Sequence, residues 1–353
     1  MNEQTASPTL VQHGARVLPA VTVEDYNAEI RDGPDGFLGD RANDRAFRDI
    51  IEELRSRIRE VDEDPLGDAG PDLGKKKLDK VLEKGSLEAK GVIQAAIETF
   101  SQEFEAVVRR FLELEAWRDV EHIVVGGGLS WSRVGELVVA RTAVMLKADG
   151  VNIGFSRIRH PSDEAGLVGA VQLTPAWTLE GYDGILAVDI GGTKMRAGIV
   201  RLNLDEAPDF AAASVWKHDV WRHADGSPTR DEAVEKLADM LEDLAGKAEK
   251  HELKLAPFVG IGCPGMIRQD GCIDRGAQNL PGNWETDGFN LPQRIRDALP
   301  SVGGHAATVV MHNDAVVQGL SEVPFMREVG RWGIFTIGTG LGNAVFTNRP
   351  EKG

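Results

Sequence analysis

Residues 184–194 read Gly184-Ile-Leu-Ala-Val-Asp189-Ile-Gly-Gly-Thr-Lys194, and the reading of this stretch decides the fold. From Ile185 the residues are apolar until the run ends in Asp189, the pattern of a buried strand. Gly191, Gly192, Thr193 and Lys194 turn the chain tightly, and a returning strand is expected from Arg196 to Arg201. A second case lies downstream, where Trp332-Gly-Ile-Phe-Thr-Ile337 runs into Gly338-Thr-Gly-Leu-Gly342. Each turn alone is either a tight hairpin or a phosphate cradle. In the cradle, backbone N–H groups face a concavity and glycine lets the phosphate approach without a Cβ. The pair together points to phosphate binding by Gly191, Gly192, Thr193 and Lys194 and by Gly338, Thr339, Gly340 and Gly342. Asp189 stands where a carboxylate can hold a metal-bound water beside that phosphate.

Working outward, Val259-Gly-Ile-Gly262 and Thr308-Val-Val-Met-His-Asn313 read as further buried strands. Asn313-Asp314 closes the second of these just before a helical stretch at 315–322. A carboxylate at the C-terminal edge of a strand lies where open α/β sheets bind ligands, so Asp314 is a candidate to accept a hydroxyl proton; its other reading is a helix cap. The loop Asn279-Leu-Pro-Gly-Asn-Trp284 offers amides that both donate and accept, suited to a polyhydroxylated ligand, with Trp284 as a shield; a plain turn is the alternative. Gly262-Cys-Pro-Gly265 is a rigid turn that shapes the cleft.

Upstream, a charged helical pattern spans 44–60, and 62–77 reads as an exposed loop. Lys75, Lys76 and Lys77 are expected to be a solvated helix start rather than a phosphate or polyphosphate site. Ile93, Ile97, Phe100, Phe104, Val107, Val108 and Phe111 recur at helical spacing as a core face. A strand at 122–125 ends in Gly126, Gly127 and Gly128, a helix starts near Val134, a strand covers 151–158 and a small-residue helix covers 165–170. Residues 175–184 read as a linker, and Thr229-Arg-Asp-Glu232 is a capping box opening a helix to about His251. Strands alternating with helices make this an α/β chain.

At 353 residues the chain exceeds what one core supports, so two lobes are expected. A net charge of −16 repels nucleic acid and anionic membranes. Two cysteines, Cys263 and Cys272, are too few for a disulfide framework or a four-thiolate metal site and read as reduced cytoplasmic thiols. Residues 1–12 read as frayed, without the basic flank and apolar run of a secretory signal. A cytoplasmic protein is expected, without nucleic-acid or membrane partners.

In their order, residues 189–194, 262–265, 279–284, 313–314 and 338–342 resemble the motifs of the ROK family (repressor, open reading frame, kinase), which includes bacterial glucokinases and other hexose and aminosugar kinases. The resemblance covers 184–347 best. It implies an α/β, actin-like ATPase (ribonuclease H-like) two-lobed fold and transfer of the terminal phosphate of ATP to a sugar hydroxyl. Asp314 would be the general base, Gly265, Asn279, Asn313 and Asp314 the sugar-side residues, and Asp189 the residue that positions Mg²⁺. A homodimer is compatible with a family whose members are often dimers.

The first half is similar to the same family out of order. His122-Ile-Val-Val-Gly-Gly-Gly-Leu-Ser130 resembles the nucleoside-side glycine strand, which adds Gly126, Gly127 and Gly128 to the nucleotide residues. Residues 163–170 resemble the family's C-terminal helix. A circular permutant is therefore expected. Residues 1–175 would form the C-terminal-type lobe, 176–184 the joint of the old termini, and 185–310 the N-terminal-type lobe. Residues 311–353 would start the larger lobe and pack with 1–175. The family's Glu-x-Gly-His segment, which grips sugar hydroxyls, is missing, as is the Cys/His zinc site that often follows it; no structural zinc is expected. Residues 17–25 match that segment best, with Thr22 and Asp25 near the glutamate and histidine positions and Glu24, Asp25 and Glu29 as substitute acceptors. Residues 1–60 show no helix-turn-helix of the repressor branch. The alternatives are a sugar- or nucleotide-binding regulatory protein with little catalysis, and a kinase that uses polyphosphate as donor.

Overall fold

The computed structural model describes residues 11–34, 36–67 and 74–350. The expectations for residues 1–10 and for 68–73 lie outside the described residues. The chain divides into two compact units, residues 1–23, 163–327 and 348–353 in the first and residues 24–162 and 328–347 in the second.

In the first unit the opening stretch becomes the strand Gly184–Ile190, buried at every residue. It runs through the middle of a five-stranded sheet ordered Thr308–Asn313, Leu255–Cys263, Gly184–Ile190, Met195–Arg201, Ser214–Trp221. Covered on both faces, it has no need of alternation and reads as continuous apolar sequence. The two strands on its left run parallel to one another and to it, and the two on its right form an antiparallel meander. The turn closes Ile190 onto Met195, which sets Asp189 directly opposite Arg196. The helix Arg230–Lys250 covers this sheet with Leu237, Leu241 and Leu244. Its start is the expected capping box: the Thr229 side chain accepts from the Glu232 N–H while the Glu232 carboxylate accepts from the Thr229 N–H.

The second unit has its own core around the helix Leu87–Leu112, whose apolar face includes all seven positions expected from the periodicity, each exposed by 2% or less. Phe104 and Phe111 pack edge-on against Phe335, and Trp117 stacks on the same ring at 4.7 Å. The sheet beneath is ordered Val21–Tyr26, Leu341–Asn348, Arg331–Ile337, His122–Gly126, Gly154–Arg157. Arg331–Ile337 is antiparallel to Leu341–Asn348 and parallel to His122–Gly126, which is parallel to Gly154–Arg157.

The two sheets share one strand order. Each has a hairpin closed by a glycine turn, a third strand outside the hairpin, and two parallel strands on the opposite side. In the first unit these follow one another along the chain. In the second, the hairpin is C-terminal and the remaining three strands are N-terminal, so the same order runs off one end of the chain and resumes at the other. The two ends of that break are neighbours, since the Arg349 N–H donates to the Ala20 carbonyl at 3.0 Å.

The unit boundaries differ from the expected ones. Residues 311–327 belong with 185–310 because Thr308–Asn313 extends the first sheet by parallel pairing with Leu255–Cys263. Residues 163–175 join the same unit rather than residues 24–162. Gly166 and Gly169 leave room for the helix Ala165–Gly169 to lie on that sheet: a Cβ would stand 2.6 Å from the Asp189 carboxylate at Gly166 and 1.7 Å from the Val317 carbonyl at Gly169. Residues 75–84, expected partly as loop, form the helix Lys75–Lys84. Among the described residues no helix is long and apolar enough to cross a membrane.

Candidate functional site

In the first unit the candidate residues gather at the C-terminal edge of the sheet. Asn313 is the N-cap of the helix Asp314–Leu320, and its buried amide is engaged at both ends: Oδ1 accepts from the Ala315 and Val316 N–H groups, and Nδ2 donates to the Gly265 carbonyl at 3.0 Å. These bonds give Asn313 a structural role at the strand end. Gly265 is likewise structural, at φ +99° with a Cβ position 2.5 Å from the Arg275 carbonyl. The two act together to fix where Asp314 begins its helix. Asn313→Ala should lower stability by about 1–2 kcal/mol, read as a shifted urea midpoint. An unchanged midpoint would contradict this role.

Because Asn313 does the capping, Asp314 is left with a carboxylate that the helix does not require. It is half-buried, and burial pushes its pKa up to about 7, with the neighbouring charge of Asp189 pushing the same way. A carboxyl tuned to that range can both accept and release a proton near neutrality.

Asp189 is placed differently from expectation. Its side chain is 4% exposed, and one oxygen accepts from Arg196 Nη1 at 2.9 Å. The carboxylate also abuts Gly166, as described above. Arg196 then reaches Asp163 through Nε at 2.9 Å and through Nη2 at 2.5 Å, so one guanidinium bridges two carboxylates. Burial pushes the Asp189 carboxyl up and Arg196 opposes it, while the two carboxylates raise Arg196. A magnesium ion positioned by Asp189 does not fit this arrangement, because the carboxylate is already covered and neutralised. Among the described residues no group of three or more His, Cys, Asp or Glu side chains is arranged to hold a metal. Arg196 and Asp163 were missed as site residues. The hairpin register, which places Arg196 across from Asp189, was the signal that could have found the first of them.

The first glycine turn lies beside the expected sugar loop. Gly191 donates its N–H to the Lys194 carbonyl, as in a hairpin, while Gly192 and exposed Thr193 direct their N–H groups to no acceptor among the described residues. Lys194 Nζ lies 4.0 Å from Asp163. Gly192 and Asn279 share the lining of a shallow, open depression with His223, Gly226, Pro228 and Leu280. His223, which nothing in the sequence marked, braces the turn through Nε2 and the Gly191 carbonyl at 2.9 Å. Trp284 is not a shield for a ligand; it is 1% exposed, donates Nε1–H to the Pro281 carbonyl and packs on Phe289.

The remaining candidates belong to the second unit. Gly338, Thr339, Gly340 and Gly342 sit in and after the turn between Arg331–Ile337 and Leu341–Asn348, with Thr339 and Gly340 exposed. Gly126 ends the adjacent parallel strand, paired with Thr336, and Gly127 and Gly128 follow it in a short helical turn. Gly127, at φ +81°, is packed so closely that a Cβ would lie 2.3 Å from the Ile337 carbonyl oxygen. Glu24 and Asp25 lie on the edge strand Val21–Tyr26, and Glu29 is exposed beyond it.

Comparison with known proteins found no matching family model and no matching curated protein. Among solved structures the chain is similar to Lmo2764 of Listeria monocytogenes, assigned as a candidate N-acetylmannosamine kinase, at 22% identity and a TM-score of 0.34, over 47% of this chain and 47% of that one. It is similar to an exopolyphosphatase from Cytophaga hutchinsonii at 13% identity and a TM-score of 0.22, over 51% and 52% of the two chains. The chain thus spans about half the length of each. Likenesses at these scores carry no argument about activity, which rests on the chain's own residues.

Proposed function

We propose that this chain is a circularly permuted, ROK-type sugar kinase of the actin-like ATPase fold, which transfers the terminal phosphate of ATP to a hexose or aminosugar hydroxyl. The observation that carries the reading is Asp314: a strand-end carboxylate freed from capping by Asn313, with its pKa pushed up to about 7. The matching strand order of the two units supports the fold, and the break at neighbouring strands supports the permutation.

In this reading Asp314 removes the proton from the attacking hydroxyl. The sugar oxygen bonds to the terminal phosphorus, the bond to the bridging oxygen breaks, and ADP leaves. The N–H groups of Gly192 and Thr193 are the donors the first turn offers to phosphate oxygens, and Thr339 and Gly340 expose the backbone of the second. Asn279 is the sugar-side amide that remains accessible. Catalysis in such a site comes from positioning and preorganised charge. Incubation with ATP labelled in its terminal phosphate tests the proposal: label should appear in a sugar phosphate, and label found only as inorganic phosphate would refute it.

One observation favours a second reading, a sugar- or nucleotide-binding regulatory protein. Arg196 neutralises Asp189, which occupies the carboxylate the resemblance assigns to magnesium.

A further inference from the structure

We infer that Lys75 is a phosphate-binding residue of the second unit, holding the phosphate chain of a nucleotide beside the 338–342 turn. The inference rests on the reading that the glycine turns hold phosphate. It starts from a lysine whose sequence neighbourhood pointed to a solvated helix start.

Lys75 opens the helix Lys75–Lys84, and its ammonium lies 3.0 Å from Asp44 Oδ2. Asp44 is the first residue of the helix Asp44–Arg59, and its backbone N–H donates to the Gly338 carbonyl at 2.8 Å. The same ammonium lies where a Cβ on Gly128 would be, 2.4 Å from that position. One positive charge is therefore gathered where the second glycine turn, the glycine end of the 122–126 strand and a helix N-terminus come together.

An ordinary surface ion pair contributes little and does not need a glycine beneath it. Here Gly128, without a Cβ, leaves room for the ammonium to lie against the backbone beside the turn. Lys75 retains 33% side-chain exposure, and an ammonium has three N–H donors, so it can meet a phosphate while staying paired with Asp44. Asp44 Oδ1 is buried and accepts no hydrogen bond among the described residues. A buried acceptor without a donor is costly, which leaves the Lys75 ammonium as the group that compensates the Asp44 charge. The proposed function makes the ligand a nucleotide rather than inorganic polyphosphate. Against the chain's net charge of −16, a local cation favours the binding of a polyanion.

The test is titration calorimetry on the full chain with ADP and with tripolyphosphate, comparing wild type, Lys75→Gln, Gly128→Ala and Lys77→Gln, each checked for folding by circular dichroism. Lys75→Gln should weaken ADP binding about 10-fold or more. Gly128→Ala should weaken it too, by displacing the ammonium without removing charge. Lys77→Gln, an exposed neighbour, should stay within about 2-fold of wild type, which separates a specific contact from general charge. ADP binding by wild type that both Lys75→Gln and Gly128→Ala leave within about 2-fold overturns the inference while the proposed function stands. Tripolyphosphate binding that requires Lys75, without ADP binding, keeps the phosphate site and refutes the nucleotide as donor. Folded wild type that binds neither probe overturns both.

Discussion

Asp314→Asn should lower sugar-dependent phosphoryl transfer roughly 10²–10⁴-fold, the range lost when a positioned general base is removed. The fold should survive, because the cap of the helix Asp314–Leu320 belongs to Asn313. A rate within about 3-fold of wild type would remove Asp314 from the mechanism. The pH profile gives a second readout. With a carboxyl pKa pushed up to about 7, the wild-type rate should rise as pH increases through 7, since only the ionised form accepts a proton.

The stability trend has the opposite sign. Between the ordinary value of 3.8 and about 7 the folded state holds the Asp314 proton more tightly than the unfolded chain does. Stability contributed by that proton is therefore full below 3.8 and is lost as pH rises toward 7. Asp314→Asn removes a buried charge at pH 8, so the variant should be the more stable protein there, and a lower urea midpoint at pH 8 would contradict this account of the site.

The largest stability loss is expected at Arg196. Arg196→Met leaves the Asp189 carboxylate buried without its cation, which should cost about 3–5 kcal/mol, measured by urea or thermal unfolding. The opposite end of the bridge matters less. Asp163 is 47% exposed, so solvent screens its share and Asp163→Ala should cost no more than about 1 kcal/mol. The pair Asp189→Asn with Arg196→Met should recover part of the single-variant loss, because the orphaned charge is gone. A single Arg196→Met variant as stable as wild type would mean that Asp189 does not depend on Arg196, and would reopen Asp189 as a metal-positioning residue.

Strands covered on both faces announced themselves in sequence. Gly184–Ile190, Leu255–Cys263 and Arg331–Ile337 are largely apolar runs with glycine in or beside them, and each was legible to within a few residues. The edge strand Ser214–Trp221 was not, because Ser-Val-Trp-Lys-His-Asp-Val-Trp alternates irregularly with no fully buried residue. The short helix Leu291–Ala298, capped by Asn290, also carried too few periods to stand out. Capping chemistry read well where it was local, as at Thr229 and Glu232, whereas unit boundaries did not, since they depend on which sheet edge a later strand joins.

The site was legible as residue types and less so as roles. Asp314 and the two glycine turns were singled out from strand-end position and glycine content alone. Asn313, Gly265 and Trp284 make hydrogen bonds within the protein that residue type alone did not reveal. Lys75 could not be read from its lysine-rich surroundings, because its partners Asp44 and Gly128 lie far away in sequence.

The measurement that tests the central claim most directly is ADP release from ATP in the presence of magnesium, followed by a coupled assay across a panel of hexoses and aminosugars with Asp314→Asn run in parallel. The account predicts release that depends on one class of sugar and is lost in the variant. Release that ignores every sugar, or none at all from a protein shown by calorimetry to bind ATP, would contradict a kinase and leave a nucleotide-binding protein in its place.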